Sequence, residues 1–179
     1  MMSGLLPRAT TYDLWQWSAD EQSRAVSPTH PVVELSADDL ATIDRDRPGY
    51  GPMARSYFTA GHHASGIRID GRIVALKWHV VNESDRPRRV KGYYPLRPGH
   101  ALLHAAWTHP DHRGQGLHQT LIGHDVATLT RRHPDAVLEA VILPDNATSV
   151  HNYRKAGFVP AGTLFVLSWL RWSWPRFGS

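Results

Sequence analysis

Arg113-Gly114-Gln115-Gly116-Leu117-His118 puts two glycines one residue apart beside an arginine, after an apolar run that ends Thr108-His109-Pro110 and before a segment of helical spacing. A glycine-rich turn leading from a strand into a helix leaves backbone N–H groups unpaired at the positive end of the helix dipole, where phosphate oxygens bind. Glycine lets a ligand come close to the backbone, and Arg113 adds charge. The pattern is not a P-loop, since no Gly-Lys-Ser/Thr follows. It is not the G-x-G-x-x-G fingerprint either, because the residue three after Gly116 is Gln119. Taken alone, the glycine pair fits a phosphate seat and a plain helix start equally well. His109-x-x-His112 lacks a cysteine or a carboxylate at diagnostic spacing, so no metal is expected.

The elements that must position this turn follow from periodicity and punctuation. "TYDLWQWS" reads as a strand from Tyr12 to Trp17, and Ser18 and Ser36 each open a capping-box pattern for a short helix. "GIRIDGRIVALKWHVV" is a hairpin turned at Asp70-Gly71. "SDRPRRVKG" is a charged connection and "ALLHAAWT" a buried strand. A helix from Gly114 to about Arg132 carries Leu117, Leu121, Ile122, Val126 and Leu129 on one side. "AVLEAVIL" is the next strand, "NATSVHNYRKAG" a short helix ended at Gly157, and "FVPAG" and "TLFVLSWLRW" the last strands. The reading is an α+β domain with a mixed, mostly antiparallel sheet of about six or seven strands and about four helices. One domain over 1–179 is expected: a substrate-side portion to about 65, a core from about 66 to 160, and closing strands to about 174.

Composition narrows the partners. Twenty Lys plus Arg against sixteen Asp plus Glu give a net charge of +4, which favours an anionic ligand without naming it. No cysteine is present, so thiol chemistry and zinc-thiolate sites are excluded. No apolar run reaches the roughly 18 residues of a membrane span, and a cytoplasmic location is expected. The basic run "RPRRVK" and a pI near 9.7 raise nucleic acid as a partner, but no recognised nucleic-acid motif accompanies them and a solvated loop is favoured.

The Arg113–His118 turn, followed by Asn146 and by "NYRKAGF" from Asn152 to Phe158, resembles the GCN5-related N-acetyltransferase (GNAT) family. The likeness covers "IDGRIVALKW" through "NYRKAGF". It implies an acetyl-CoA-dependent N-acyltransferase, using acetyl-CoA or another acyl-CoA as donor, a small-molecule or amino-acid-like amine as acceptor, and no metal. By that resemblance Arg113, Gly114, Gln115, Gly116, Leu117 and His118 cradle the pyrophosphate, with His118 departing from the family's usual Gly or Ala. Ala106, Trp107 and Thr108 line the pantetheine arm, Asn146 contacts it or caps a helix, and Tyr153 lies near the sulfur as general acid. An ordinary phenol, with a pKa of about 10, holds its proton at neutral pH.

"HAAWTHPDHRGQG" is similar to the serotonin N-acetyltransferase branch, which implies that His104 takes the amine's proton. Simple alternation puts His104, Ala106 and Thr108 on one face and Leu103, Ala105 and Trp107 on the other. His62 and His63 are read as loop residues near the substrate side. The acidic residues Glu34, Asp38, Asp39, Asp44 and Asp46 could hold a cationic amine, though a solvated helix face is favoured. Tyr50, Tyr57 and Phe58 form either an aromatic wall or core. Trp172 and Trp174 on one strand face leave a homodimer contact or an aromatic acceptor pocket open, with packing on the N-terminal strand favoured. The alternative from another class is a CoA-binding regulatory module without turnover.

Overall fold

The computed structural model describes residues 8–19, 30–169 and 172–178. Ten strands and four α-helices follow in the order β1 (Arg8–Trp17), β2 (Val32–Leu35), α1 (Leu40–Asp46), α2 (Tyr50–Thr59), β3 (His63–Ile69), β4 (Arg72–Val81), β5 (Arg88–Val90), β6 (Tyr94–Leu96), β7 (His100–Thr108), α3 (Leu117–Arg132), β8 (Val137–Ile142), α4 (Ala147–Lys155), β9 (Phe158–Trp169) and β10 (Trp172–Gly178). Eight strands make one sheet, ordered β10-β9-β1-β8-β7-β4-β3-β2, and β5 and β6 form a separate hairpin. Every pairing in the large sheet is antiparallel except β7 with β8.

The fold class and the number of helices agree with the sequence reading, though one of the four is not among those expected, and the sheet holds more strands than expected. "VVEL" adds an edge strand, and β1 runs from Arg8 and slots between β8 and β9. "FVPAG" and "TLFVLSW" are a single long strand that pairs with β10. The Asp70-Gly71 turn has positive φ at both residues, 49° and 75°, as a tight hairpin turn requires. At Ser36 the backbone N–H and the hydroxyl both donate to Asp39, so the box caps a short 3-10 turn that runs into α1. The expected helix at Ser18 falls on residues outside those described. Helix α2 was not anticipated, because Gly51, Pro52 and three aromatics blur its helical signal. Pro52 sits in the first turn, where no N–H is needed.

The helices cover opposite faces of the sheet. On one, α3 buries Leu117, Leu121, Ile122, Val126 and Leu129 against Ile67, Ala75, Leu103 and Ala140. On the other, α1 and α2 bury Ile43, Tyr50 and Ala54 against Leu76 and Trp78, whose indole N–H donates to the Tyr50 hydroxyl at 2.6 Å. The hairpin packs beside them through Val90, Tyr94 and Leu96 on Leu14, Val80 and Leu102. Each fully buried aliphatic side chain of this kind contributes about 1.5–3 kcal/mol.

One local irregularity sets up everything that follows. Between β4 and β7, Leu76 pairs with Trp107 but Trp78 pairs with His104, so Lys77 alone faces Ala105 and Ala106, and Ala105 takes φ 48°. This is a β-bulge, which bends the strand and re-aims its side chains. Strand β7 pairs with β8 only from His100 to Leu103. Beyond the bulge the two parallel strands part.

Candidate active site between the parted strands

The turn before α3 has the backbone a phosphate seat needs. Gly114 and Gly116 adopt φ 78° and 74°, and a Cβ at either would meet nothing within 4 Å, so the concave side is open. Gly116 is the N-cap of α3 and supplies no side-chain cap. The N–H groups of Gly114, Gly116, Leu117 and His118 make no backbone hydrogen bond among the described residues. These are the orphan donors of a helix start, gathered at the positive end of a 16-residue helix. His109 accepts from the Asp111 N–H and stabilises the approach to the turn.

A cavity of about 740 Å³ runs from this turn along the unpaired edge of β7 to the start of α4, with Ala106, Trp107, Thr108, Arg113, Asn146 and Asn152 among its walls. The backbone of β7 past Leu103 is free of β8, so an extended chain laid there finds unpaired peptide groups. Asn146 accepts from the Ser149 N–H at 3.1 Å, which makes it the N-cap of α4 as one expectation had it, and it also lines the cavity. The residues present therefore fit a long ligand with phosphates at one end and an extended amide-bearing arm at the other.

A smaller space of about 220 Å³ adjoins the first, shares Ala106, His118, Asn146 and Ser149 with it, and brings in Tyr153, His104, Tyr12, Lys91 and Tyr93. Tyr153 is buried against Phe158, and its hydroxyl accepts a hydrogen bond from Lys77 Nζ and lies 3.4 Å from the Leu103 carbonyl, to which it donates. Burial, with the Asp125 carboxylate as a lesser cause, raises the phenol well above its usual range. It is a proton donor at every physiological pH.

His118 stands where the sequence pattern departs from a small residue. Its ring packs edge-on to Tyr153, with Nδ1 3.2 Å from the Asn152 amide nitrogen. The amide donates to Nδ1, which puts the ring proton on Nε2, and Nε2 is buried without a partner. Burial, with Lys77 as a lesser cause, lowers His118 to about 3, so it is a neutral donor facing the junction of the two spaces.

His104 is buried and shares a 3.0 Å hydrogen bond, through Nε2, with Nδ1 of His62. Tyr57 stacks on His62 and meets His104 edge-on. Burial first, and neighbouring positive groups second, hold His104 well below its ordinary value and His62 at about 4. His104 Nδ1 is left unpartnered.

The structure corrects the face assigned to His104. Simple alternation put it with Ala106 and Thr108, but the bulge at Ala105 turns the strand, and His104 joins Ala105 and Trp107 on the α2 side with Tyr57 and Trp78. His62 is likewise more than a loop residue, since it is the hydrogen-bonded neighbour of His104. Lys77 and Asp125, both fully buried, are the functional-looking residues that sequence reasoning missed. The signal for Lys77 was present as a lone ammonium inside the apolar strand "IVALKWHVV".

Other expectations resolve into structure. Glu34 pairs with His63, Asp39 with Arg68, and Asp44 accepts from the Gly51 N–H, so these acidic groups have structural work. Tyr50 is core, and Tyr57 and Phe58 pack against that same cluster. The tryptophan side chains at 169, 172 and 174 lie outside the described residues. Among the described residues no cluster of three potential metal ligands occurs, and no helix is long and apolar enough to cross a membrane.

Comparison with known proteins agrees with this geometry. No curated protein matches the chain. A GNAT-family protein from Novosphingobium aromaticivorans superposes with a TM-score of 0.65 at 20% identity, over 91% of this chain and 66% of its own. An acetyltransferase of the GNAT family from Colwellia psychrerythraea gives 0.61 at 13%, over 92% and 57%. A ribosomal-protein-alanine N-acetyltransferase from Brucella melitensis gives 0.55 at 17%, over 78% and 99%. The chain thus spans less than two thirds of the length of the first two, and the likeness to all three is one of fold. The family model described as acetyltransferase (GNAT) family matches residues 36–158, and on that ground the chain belongs to the GNAT acetyltransferase family.

Proposed function

We propose that the protein is an acyl-CoA-dependent N-acyltransferase that carries an acetyl or other short acyl group to the amine of a small, amino-acid-like acceptor. The observation that carries this reading is the meeting of the two spaces: the uncapped glycine turn opens one end of a continuous path, and the Tyr153 hydroxyl closes the other. Bound acyl-CoA would supply an activated thioester, a good acyl donor with a thiolate leaving group.

The backbone N–H groups of Gly114, Gln115, Gly116, Leu117 and His118, with Arg113, hold the pyrophosphate. Ala106, Trp107 and Thr108 hold the arm as an added strand would, and Asn146 borders it. His118 Nε2–H donates toward the acyl oxygen. Tyr153 gives its proton to the departing sulfur. Likeness to the serotonin N-acetyltransferase branch and the free Nδ1 both support His104 as the group that removes the amine's proton, directly or through water. Being held neutral by burial, it is available as a base down to acidic pH.

The acceptor side favours an amine that also bears a negative charge. The walls of the smaller space carry no Asp or Glu, whereas Lys91 stands beside the stacked Tyr12 and Tyr93 rings. Lys91 has no carboxylate partner among the described residues, and with Gly92 it forms the tight turn of the β5–β6 hairpin, with φ 54° and 76°. A carboxylate set on Lys91 would leave the amine pointing toward His104. A chain free of cysteine suits the reducing cytoplasm, where acyl-CoA and amino acids are abundant.

Calorimetry with acetyl-CoA, desulfo-CoA and adenosine 3',5'-bisphosphate tests the seat, on the wild type and on a Gly114→Val/Gly116→Val variant. Micromolar binding that disappears in the variant is expected. A wild type that binds none of them refutes the proposal. Thiol release with amino acids, aromatic amines and polyamines then ranks acceptors; acetyl-CoA binding with no thiol release from any acceptor would favour the regulatory module, and unchanged release in Tyr153→Phe would remove Tyr153 as the acid.

A further inference from the structure

Lys77 is fully buried in the middle of β4, and Asp125 is fully buried across from it on α3. An ammonium in such a place is costly unless closely paired, yet no carboxylate lies in contact with it among the described residues. Its one hydrogen bond goes to the Tyr153 hydroxyl, and its Nζ sits 4.8 Å from the Tyr153 ring centroid. It lies opposite the bulge that parts the strands, at the one register position where β4 faces two residues of β7.

We infer that Lys77 is the proton reserve of Tyr153, a positioning and relay residue that returns a proton to the phenol as the phenol delivers its own to the leaving sulfur. This rests on the acyltransferase reading above. The thioester C–S bond breaks with its electron pair going to sulfur, and the amide C–N bond forms. The Tyr153 O–H proton moves to sulfur, and an N–H proton of Lys77 moves to the Tyr153 oxygen, so no phenolate accumulates in a site that burial makes hostile to it. Lys77 is left as a neutral amine and regains a proton from water. The acceptor amine loses one proton to solvent for each one sulfur gains, so no acid is consumed over a cycle.

The surroundings suit a group that must change charge readily. Burial brings Lys77 down to about 8, Asp125 opposes that fall and Lys91 adds to it. The titratable groups around it are Tyr153 from α4, Asp125 and His118 from α3, and His79 on its own strand. His104 and Lys91 lie on the acceptor side. Asp125 accepts from the Ser65 hydroxyl at 2.6 Å and stands 3.6 Å from His79 Nδ1, while its second oxygen has no partner. His79 in turn lines a separate cavity of about 300 Å³ with His63, Glu83 and Arg132.

Protonated Lys77 predominates below its pKa and is lost above it, so turnover should fall as pH rises through about 8. The test pairs an NMR titration of the Lys77 Nζ signal in the ligand-free protein with the pH profile of kcat/KM for acetyl-CoA, which reports the free enzyme, read as free thiol with mixed amino acids as acceptors. The two midpoints are expected to coincide. Lys77→Met should lower kcat by roughly 10²-fold at unchanged KM for acetyl-CoA and lose the alkaline limb. In a Tyr153→Phe background the same change should add almost nothing, because a relay with no phenol to serve has no role. Equal losses in both backgrounds, a wild-type limb in Lys77→Met, or midpoints that disagree would overturn the relay. Should Lys77→Met fail to bind acetyl-CoA, the two wild-type midpoints decide alone. Wild-type binding of acetyl-CoA without turnover overturns the relay and spares the seat, whereas no binding at all removes the acyltransferase reading itself.

Discussion

Two buried polar clusters sit a few residues apart along the same parted strands, and they are finished to different degrees. At the closed end, Glu139 on β8 accepts from Gln16 at 2.9 Å, the Tyr94 hydroxyl at 2.5 Å and Arg97 at 2.7 Å, with His100 Nδ1 at 3.0 Å. Burial alone would raise its carboxyl, but those hydrogen bonds outweigh burial and hold it below the usual range. At the open end, Lys77 has one hydrogen bond, and Asp125, His79, His118 and His104 each leave a buried polar atom unpartnered. Three hydrogen bonds and an ion-pair contact onto one carboxylate tie β1, β6, β7 and β8 together, although His100 Nδ1 gains no hydrogen bond there, whereas the open end leaves several buried groups free to meet a ligand. The comparison separates stability from chemistry along one strand pair.

Breaking the closed cluster should have the largest effect on the fold. Glu139→Ala strips the partner from Arg97, His100 and Tyr94 together and is expected to lower unfolding free energy by about 3–5 kcal/mol, read by urea denaturation. A loss under about 1 kcal/mol would show that the cluster does not clamp the strands. The pH sense follows from the depressed carboxyl: its contribution is present above the unfolded carboxylate range and disappears as pH falls through the lower folded value.

Breaking the open cluster should do the reverse. Tyr153→Phe is expected to reduce kcat by roughly 10²–10⁴-fold while leaving acetyl-CoA affinity within a few-fold. A loss of stability as large as that from Glu139→Ala would contradict the division drawn here. Lys77 sharpens the contrast through pH. Its folded value of about 8 lies below the ordinary lysine value, so the unfolded chain binds more protons between the two, and stability should rise as pH climbs from about 8 toward 10. Chemical denaturation across that range, compared with Lys77→Met, checks the sign.

The smallest effect belongs to the rim. Lys91→Ala should raise KM for a carboxylate-bearing acceptor by roughly tenfold, the worth of one well-placed charge-assisted hydrogen bond, and leave KM for acetyl-CoA alone. A KM change that is the same for uncharged amines would remove Lys91 from acceptor recognition.

What could be read from the sequence tracks what backbone chemistry alone dictates. The Gly114 and Gly116 pair was legible because positive φ and open space at a helix start demand glycine there, whatever surrounds it. The Asp70-Gly71 hairpin, the apolar side of α3 and the Asn146 cap were legible for similar reasons. The bulge at Ala105 was not, because alanine is an ordinary strand residue and nothing local announces φ 48°. That single extra residue moved His104 to the opposite face from the one alternation implied. The His62–His104 pair and the Lys77–Tyr153 contact join positions 42 and 76 residues apart, and such partners are fixed by topology and not by spacing. Helix α2 was hidden by its glycine, proline and aromatics, and is held by burial of Tyr50 and Ala54 against β4 more than by propensity.

A crystal structure of the chain with CoA bound tests the central claim most directly. The account predicts pyrophosphate oxygens on the N–H groups of Gly114 through His118, the pantetheine arm along Ala106 to Thr108, and the sulfur within hydrogen-bond reach of the Tyr153 hydroxyl. CoA seated elsewhere, or in the cleft with its sulfur remote from Tyr153, would contradict it.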